Sequence, residues 1–88
     1  MEEYMRILGC CVRDRVTGFT GTATLVSFDL YGCVQVIVSP SGTDKDGKTF
    51  SGQWFDHKRL EVTNRTPVMA VPDFARVAGG QDLPSQER

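Results

Sequence analysis

The 88-residue sequence predicts a small all-β domain, on three observations. Apolar and polar residues alternate from Cys10 to Val16, the period of a strand with one buried face. β-Branched and aromatic residues dominate Thr22–Tyr31 and Cys33–Val38. Glycine and proline stand between these segments, where a chain of short strands must turn.

The first strand ends in a stretch that contains Asp14, Gly18 and Gly21. Asp14 falls on the apolar face of its strand, so its carboxylate needs partners. We expect it to accept hydrogen bonds from backbone N–H groups of the Gly18–Gly21 segment. The two glycines suggest a tight structural elbow in which φ is positive.

The second strand, Thr22–Tyr31, carries apolar residues on both faces. A strand of this kind either bends around a small barrel or is buried in a contact between subunits. Tyr31-Gly32 then turns the chain into the third strand, Cys33–Val38, and so short a connection predicts an antiparallel hairpin.

The remaining strands are shorter. Ser39–Gly52 is rich in glycine, serine and charged residues and predicts an exposed loop. Gln53–Asp56 is the fourth strand. His57–Leu60 fits one 3₁₀ turn capped by Asp56, and Leu60–Thr63 alternates again as the closing strand.

Five short strands with one 3₁₀ turn before the last are typical of an SH3-like barrel, which we place at residues 9–63. Residues 1–8 form an N-terminal arm, either a helical turn or an extended segment. Residues 64–88 form a Pro/Gly-containing extension with a short helix at Pro72–Ala78. Its end, 79–88, has the composition of a disordered tail, and we expect the extension to become ordered by packing on a neighbouring subunit.

Composition narrows the class of function. A net charge of −1 gives no general attraction to nucleic acid or to anionic membranes. The chain opens with acidic residues, unlike a secretory segment, and its longest nearly apolar run, Cys33–Val38, is too short to span a bilayer. Three cysteines fit no disulfide framework. We therefore expect a reduced, soluble, cytoplasmic protein that does not bind membranes.

The sequence predicts no metal site, no cofactor and no enzymatic activity. Asp44–Gly47 resembles the start of a calcium loop, but the later ligand positions do not follow, so a reverse turn is the better interpretation. Cys10 and Cys11 are adjacent on a strand and point apart, so they cannot easily join Cys33 and His57 around one zinc ion. A Cys33–His57 catalytic pair lacks any orienting third group.

One aromatic group is the candidate ligand groove. In a small barrel, aromatic side chains at the loop ends can line a groove for a peptide or another ligand. The alternative is that they fill the core or a subunit interface, since alternation must turn either Trp54 or Phe55 inward. The candidate residues are Phe19, Tyr31, Trp54, Phe55 and His57.

Motifs with fixed order and spacing run through residues 7–63. They are Leu8-Gly9, Val12-x-Asp14-x-Val16-Thr17-Gly18-Phe19-x-Gly21, Tyr31-Gly32-Cys33, Val38-x-Pro40, Asp44-Lys45-Asp46-Gly47-Lys48, Trp54-Phe55-Asp56 and Leu60-Glu61-Val62. In these motifs the chain resembles small bacterial proteins encoded on phages, prophages and integron gene cassettes. The resemblance implies an SH3-like barrel and an origin in mobile DNA. It implies no known activity and supplies no catalytic residues.

We therefore expect a non-enzymatic binding or adaptor module that forms a homo-oligomer and binds an unknown protein or small ligand. A first alternative is a nucleic-acid-binding barrel that uses Arg13, Arg15, Lys58 and Arg59; it is not favoured, because residues 1–65 hold eight basic and eight acidic side chains. A second is a small-molecule binder or enzyme with a pocket at a subunit interface, near Trp54 and His57.

Overall fold

A computed structural model describes residues 2–74, which form one antiparallel sheet preceded by a short helix. The elements are α1 (Glu2–Met5), β1 (Cys11–Asp14), β2 (Thr20–Phe28), β3 (Val34–Ser39), β4 (Gln53–Asp56), a 3₁₀ turn (His57–Arg59) and β5 (Leu60–Asn64). The predicted mainly β class, the five strands and the 3₁₀ turn before the last strand are confirmed. The Asp56 side chain caps that turn, accepting from the Lys58 amide at 2.9 Å.

The strand ends differ from the prediction for local reasons. β1 ends at Asp14 because its carbonyl accepts the Gly18 amide at 2.8 Å and closes a turn. The β2–β3 turn begins at Asp29, whose Oδ1 accepts the amides of Tyr31 and Cys33, both at 2.9 Å. A side chain that satisfies its own turn in this way competes with the strand ladder.

The strand order across the sheet is β4-β3-β2-β1-β5, and all neighbours are antiparallel. The first four strands follow one another, and β5 returns to pair with β1. Strand β2 belongs to two ladders, with β1 through Thr20–Thr22 and with β3 through Thr22–Phe28. Within residues 2–74 no ladder joins β4 to β5, so the sheet is open.

A β-bulge at Thr24 explains why β2 is apolar on both faces. Ala23 pairs with Val38 and Leu25 pairs with Ile37, which leaves Thr24 without an opposite residue. If side chains alternated strictly along the strand, as the sequence predicts, Ala23 and Val26 would lie on different faces. The bulge instead brings both to the core side, where Ala23 is buried and Val26 packs against the core.

The core lies on one side of the sheet, and among residues 2–74 it holds eight buried hydrophobic residues. These are Ile7, Cys10, Val12, Ala23, Val36, Val38, Phe55 and Leu60. Core residues of neighbouring strands lie opposite one another at two places, Val36 with Phe55 and Val38 with Ala23. Ile7 shows that the N-terminal arm is part of this core.

The two elbow glycines serve different purposes. Gly18 has φ of +81°, as expected, and a Cβ atom there would be in ordinary contact with the Arg13 guanidinium, at 3.9 Å. Gly21 does not have a positive φ. Position 21 has no room for a side chain, because β2 and β3 approach closely there. A Cβ atom at Gly21 would lie 2.4 Å from the Ser39 carbonyl oxygen.

Beyond β5, the chain returns to its own N-terminal arm. The Val68 amide donates to the Gly9 carbonyl at 2.9 Å, and the Gly9 amide donates to the Ala23 carbonyl at 2.7 Å. Gly9 also lies against Pro67, 3.2 Å from where its Cβ would stand. Most of the predicted helix at Pro72–Ala78, and the tail at 79–88, lie outside the described residues. Packing on a neighbouring subunit stays a prediction.

We expect Gly21→Ala to destabilise the fold more than Gly18→Ala. The first change forces two backbones apart and should cost about 3 kcal/mol, the upper part of the usual range for overpacking. The second adds only left-handed backbone strain, about 1–2 kcal/mol. Urea unfolding followed by tryptophan fluorescence measures both. Equal stability of Gly21→Ala and the wild type would contradict the close approach of β2 and β3.

Candidate functional site

The five candidate aromatic residues do not share one groove. Phe55 points into the core and Trp54 away from it, as alternation along β4 requires. Phe19 packs beside Phe55, with ring centroids 5.3 Å apart. Tyr31 and His57 lie elsewhere and line a separate cleft.

The outer face of the sheet carries an apolar row around Trp54. Ile37 pairs with Leu25 on one side and with Trp54 on the other, so the three side chains cross β2, β3 and β4 on one face. Leu25 is 41% and Trp54 52% exposed. Gly52 lies over Ile37, because a Cβ at Gly52 would stand 2.6 Å from Ile37 Cγ2. We call Leu25, Ile37 and Trp54 the outer row.

A cleft of about 250 Å³ lies beside the β2–β3 turn and includes Tyr31, Cys33 and His57. The His57 ring meets the Tyr4 ring edge to face, with centroids 4.9 Å apart. Tyr4 was not predicted as a site residue, because the opening segment gave no clear periodicity. The cleft combines aromatic and polar groups, but it does not include Trp54.

Asp14 is fully buried and is held by a network rather than by the predicted glycine amides. Arg59 donates Nε to Oδ1 at 2.8 Å and Nη2 to Oδ2 at 2.7 Å. Thr17 donates its backbone N–H to Oδ2 at 2.9 Å and its hydroxyl to the same oxygen. The Arg59 guanidinium, followed by the threonine hydrogen bonds, holds the pKa of Asp14 well below its usual range against the opposing effect of burial.

The four basic residues considered for nucleic acid have different surroundings. Arg59 is committed to Asp14, and its guanidinium lies 5.3 Å from the centre of the Phe55 ring. Arg13 forms an exposed ion pair with Glu61 at 2.9 Å. Arg15 and Lys58 are exposed. Carboxylates thus neutralise two of the four charges.

A second apolar surface comes from the extension, for which the sequence predicted a short helix at Pro72–Ala78 and packing on a neighbouring subunit. Four large apolar side chains between residues 68 and 74 are 43–72% exposed: Val68, Met69, Val71 and Phe74. With Leu8, Gly9 and the start of β2 they line a groove of about 370 Å³. Prolines interrupt this segment, so no helical or strand period indicated that it would pack on the sheet.

The candidate metal ligands are dispersed. Cys10 is buried and its thiol donates to the Arg6 and Arg65 carbonyls, whereas Cys11 is half-buried and Cys33 is exposed. Among residues 2–74, no three His, Cys, Asp or Glu side chains are grouped so that they could hold a metal ion. Asp44–Gly47 forms a reverse turn closed by the Gly47 amide on the Asp44 carbonyl at 3.0 Å, as predicted.

No family model, curated protein or solved structure matches the chain. In the described part of the chain, no helix has both the length and the apolar character needed to cross a membrane.

The Asp14 network predicts a specific loss of stability in acid. Since the pKa of Asp14 is lowered by folding, the unfolded chain takes up the proton first as pH falls. The stabilisation is therefore present at neutral pH and is lost as pH falls below the ordinary carboxyl value of 3.8. Asp14→Asn should be less stable than wild type at pH 7 and should lose less stability on acidification.

Urea midpoints between about pH 6 and about pH 2.5 measure this effect. The control is Asp46→Asn, at an exposed position of the loop tip. The network would be contradicted if Asp14→Asn and Asp46→Asn followed the same pH dependence as the wild type.

Proposed function

We propose that this protein is a non-enzymatic binding or adaptor module that associates with a second copy of itself through the outer row. The observation that carries the proposal is a half-exposed tryptophan on the outer face of the edge strand β4, opposite Ile37 and in one row with Leu25. Tryptophan is among the residues most enriched at protein interfaces and at their energetic centres.

The size of the domain adds to this support. The described part of the chain buries eight hydrophobic residues, a small core, and small domains commonly gain stability by association. Trp54 and Leu25 are each about half buried already, so covering the rest would add about half of the ~1.5–3 kcal/mol that full burial of a large apolar side chain contributes. A second copy presents the same outer row, so a two-fold contact would be apolar on both sides.

The strand arrangement supports a proposed SH3-like barrel. Three features are typical of a sheet that curves toward a barrel. Strand β5 returns to pair with β1, a 3₁₀ turn precedes β5, and β2 belongs to two ladders. The bulge at Thr24 adds local bend and twist at the place where β2 passes from one ladder to the other. An origin in mobile DNA also stays a proposal, supported by the resemblance in residues 7–63 alone.

A reduced, cytoplasmic setting is proposed as well. Its support is that Cys10, Cys11 and Cys33 are free thiols.

The two alternative functions draw less support. Nucleic-acid binding would rest on Arg15 and Lys58, because Arg13 and Arg59 already pair with carboxylates. A small-molecule pocket near both Trp54 and His57 would need one site, but His57 lies in a cleft that Trp54 does not line.

We expect the wild-type protein to be larger than a monomer in size-exclusion chromatography with light scattering at micromolar concentration. Trp54→Arg should give a monomer, because a charge in the outer row cannot be buried in an apolar contact without a partner. Its folding should be retained, since the native side chain is half exposed.

The matched control is Leu30→Arg, at a position 91% exposed in the β2–β3 turn. It should keep the wild-type mass. A monomeric wild type would overturn self-association, and dissociation by both variants alike would overturn the assignment to the outer row.

A further inference from the structure

One edge of β2 is paired along only half of its length. Strand β1 pairs with residues Thr20–Thr22, and Ala23 exchanges hydrogen bonds with Gly9 and Cys10. Strand β3 covers the other edge as far as Phe28. From residue 24 to residue 28, the edge on the β1 side has no strand beside it among residues 2–74.

The hydrogen-bond pattern shows which backbone groups face that open edge. Asp29 donates its amide to Cys33 at the end of the hairpin, at 3.2 Å. Hydrogen-bonded and non-hydrogen-bonded pairs alternate along an antiparallel ladder, so Ser27 and Leu25 also bond to β3. The amide and carbonyl groups of Val26 and Phe28 therefore point to the open edge. Outside the strand ladders, neither residue exchanges a backbone hydrogen bond with any part of residues 2–74.

An apolar groove of about 320 Å³ runs beside this edge. Residues from both faces of β2, Leu25 as well as Val26 and Phe28, line it, as expected for a groove along the edge of a strand. Its other wall is formed by Met5, Leu8 and Phe74. No charged side chain is among the residues that line it.

We propose that this edge binds an extended peptide segment of a partner protein, which adds to the sheet as a strand antiparallel or parallel to β2. The open donors and acceptors of Val26 and Phe28 require a partner with backbone groups at the same spacing, and an extended chain supplies them. The uncharged lining selects peptides whose alternate side chains are apolar. The inference rests on the proposed binding function and names its ligand.

Two other occupants fit less well. A small apolar molecule could fill the groove beside Phe74, but it would leave the amides and carbonyls of Val26 and Phe28 without partners. An acidic or basic peptide would find no opposite charge among the lining residues. An extended apolar peptide satisfies both the polar edge and the apolar wall.

The test uses a fluorescein-labelled heptapeptide of alternating valine and threonine, titrated against the full chain by fluorescence anisotropy. We expect saturable binding below about 1 mM. Two further peptides carry N-methyl groups on the valine nitrogens or on the threonine nitrogens. Only one set of peptide N–H groups faces β2, so one of these peptides should bind at least about tenfold more weakly and the other should bind like the parent.

Protein variants locate the site. Phe74→Ser should weaken binding of the parent peptide at least about tenfold, because it removes one wall of the groove. Phe50→Ser is the matched control: Phe50 is 47% exposed, compared with 44% for Phe74, and it lies in the loop between β3 and β4. It should bind the peptide like the wild type.

The inference is overturned if the parent peptide does not bind, if both methylated peptides bind like the parent, or if Phe74→Ser binds as well as Phe50→Ser. The mass of the free protein by light scattering decides self-association independently of these titrations. Failure of the peptide inference and failure of the proposed outer-row contact are therefore separate results.

Discussion

The structure depends on one buried charge, the carboxylate of Asp14. It ends β1, has no exposed surface, and is neutralised by Arg59 from the 3₁₀ turn. A buried carboxylate without a partner is far more costly than any single apolar contact in a domain of this size. Thr17 supplies further donors from the turn that follows β1. The charge is tolerated only when the turn after β1 and the distant 3₁₀ turn meet around it.

The need to neutralise Asp14 determines how the closing strand, β5, pairs with β1. Arg59 immediately precedes β5, and its carbonyl accepts the Arg15 amide at 2.8 Å while its side chain reaches Asp14. The same guanidinium covers Phe55, so the ion pair and the core meet at one place. The register of β5 on β1, with Leu60 opposite Asp14, follows from this anchor. The fold thus uses a specific polar contact to position an otherwise short and weakly amphipathic strand.

The sequence predicted correctly those elements that depend only on a few consecutive residues. Alternation located β3 and β4, and Asp56 marked the 3₁₀ turn, because a strand period and a cap each involve only a few consecutive residues. It could not show that Arg59 is the partner of Asp14, since 45 positions separate them and either residue also suits an exposed surface. The bulge at Thr24 has no signature of its own, so alternation could not assign the faces of the residues that follow it in β2. The candidate aromatic residues are divided over three places because Trp54 and Phe55 alternate along β4 and because Tyr31 and His57 line a separate cleft.

The pairing of β1, the first strand, with β5, the last, has a consequence for synthesis. Strand β1 is made first but lies between β2 and β5, so one of its edges stays open until the last strand leaves the ribosome. The pairing of Asp14 with Arg59 closes a long loop, a step that is entropically costly and slows folding. Until then a nascent chain carries a charged group at the end of a half-paired strand, which keeps that edge hydrated. A domain built in this way completes its fold only after nearly all of residues 1–64 are available, and not strand by strand.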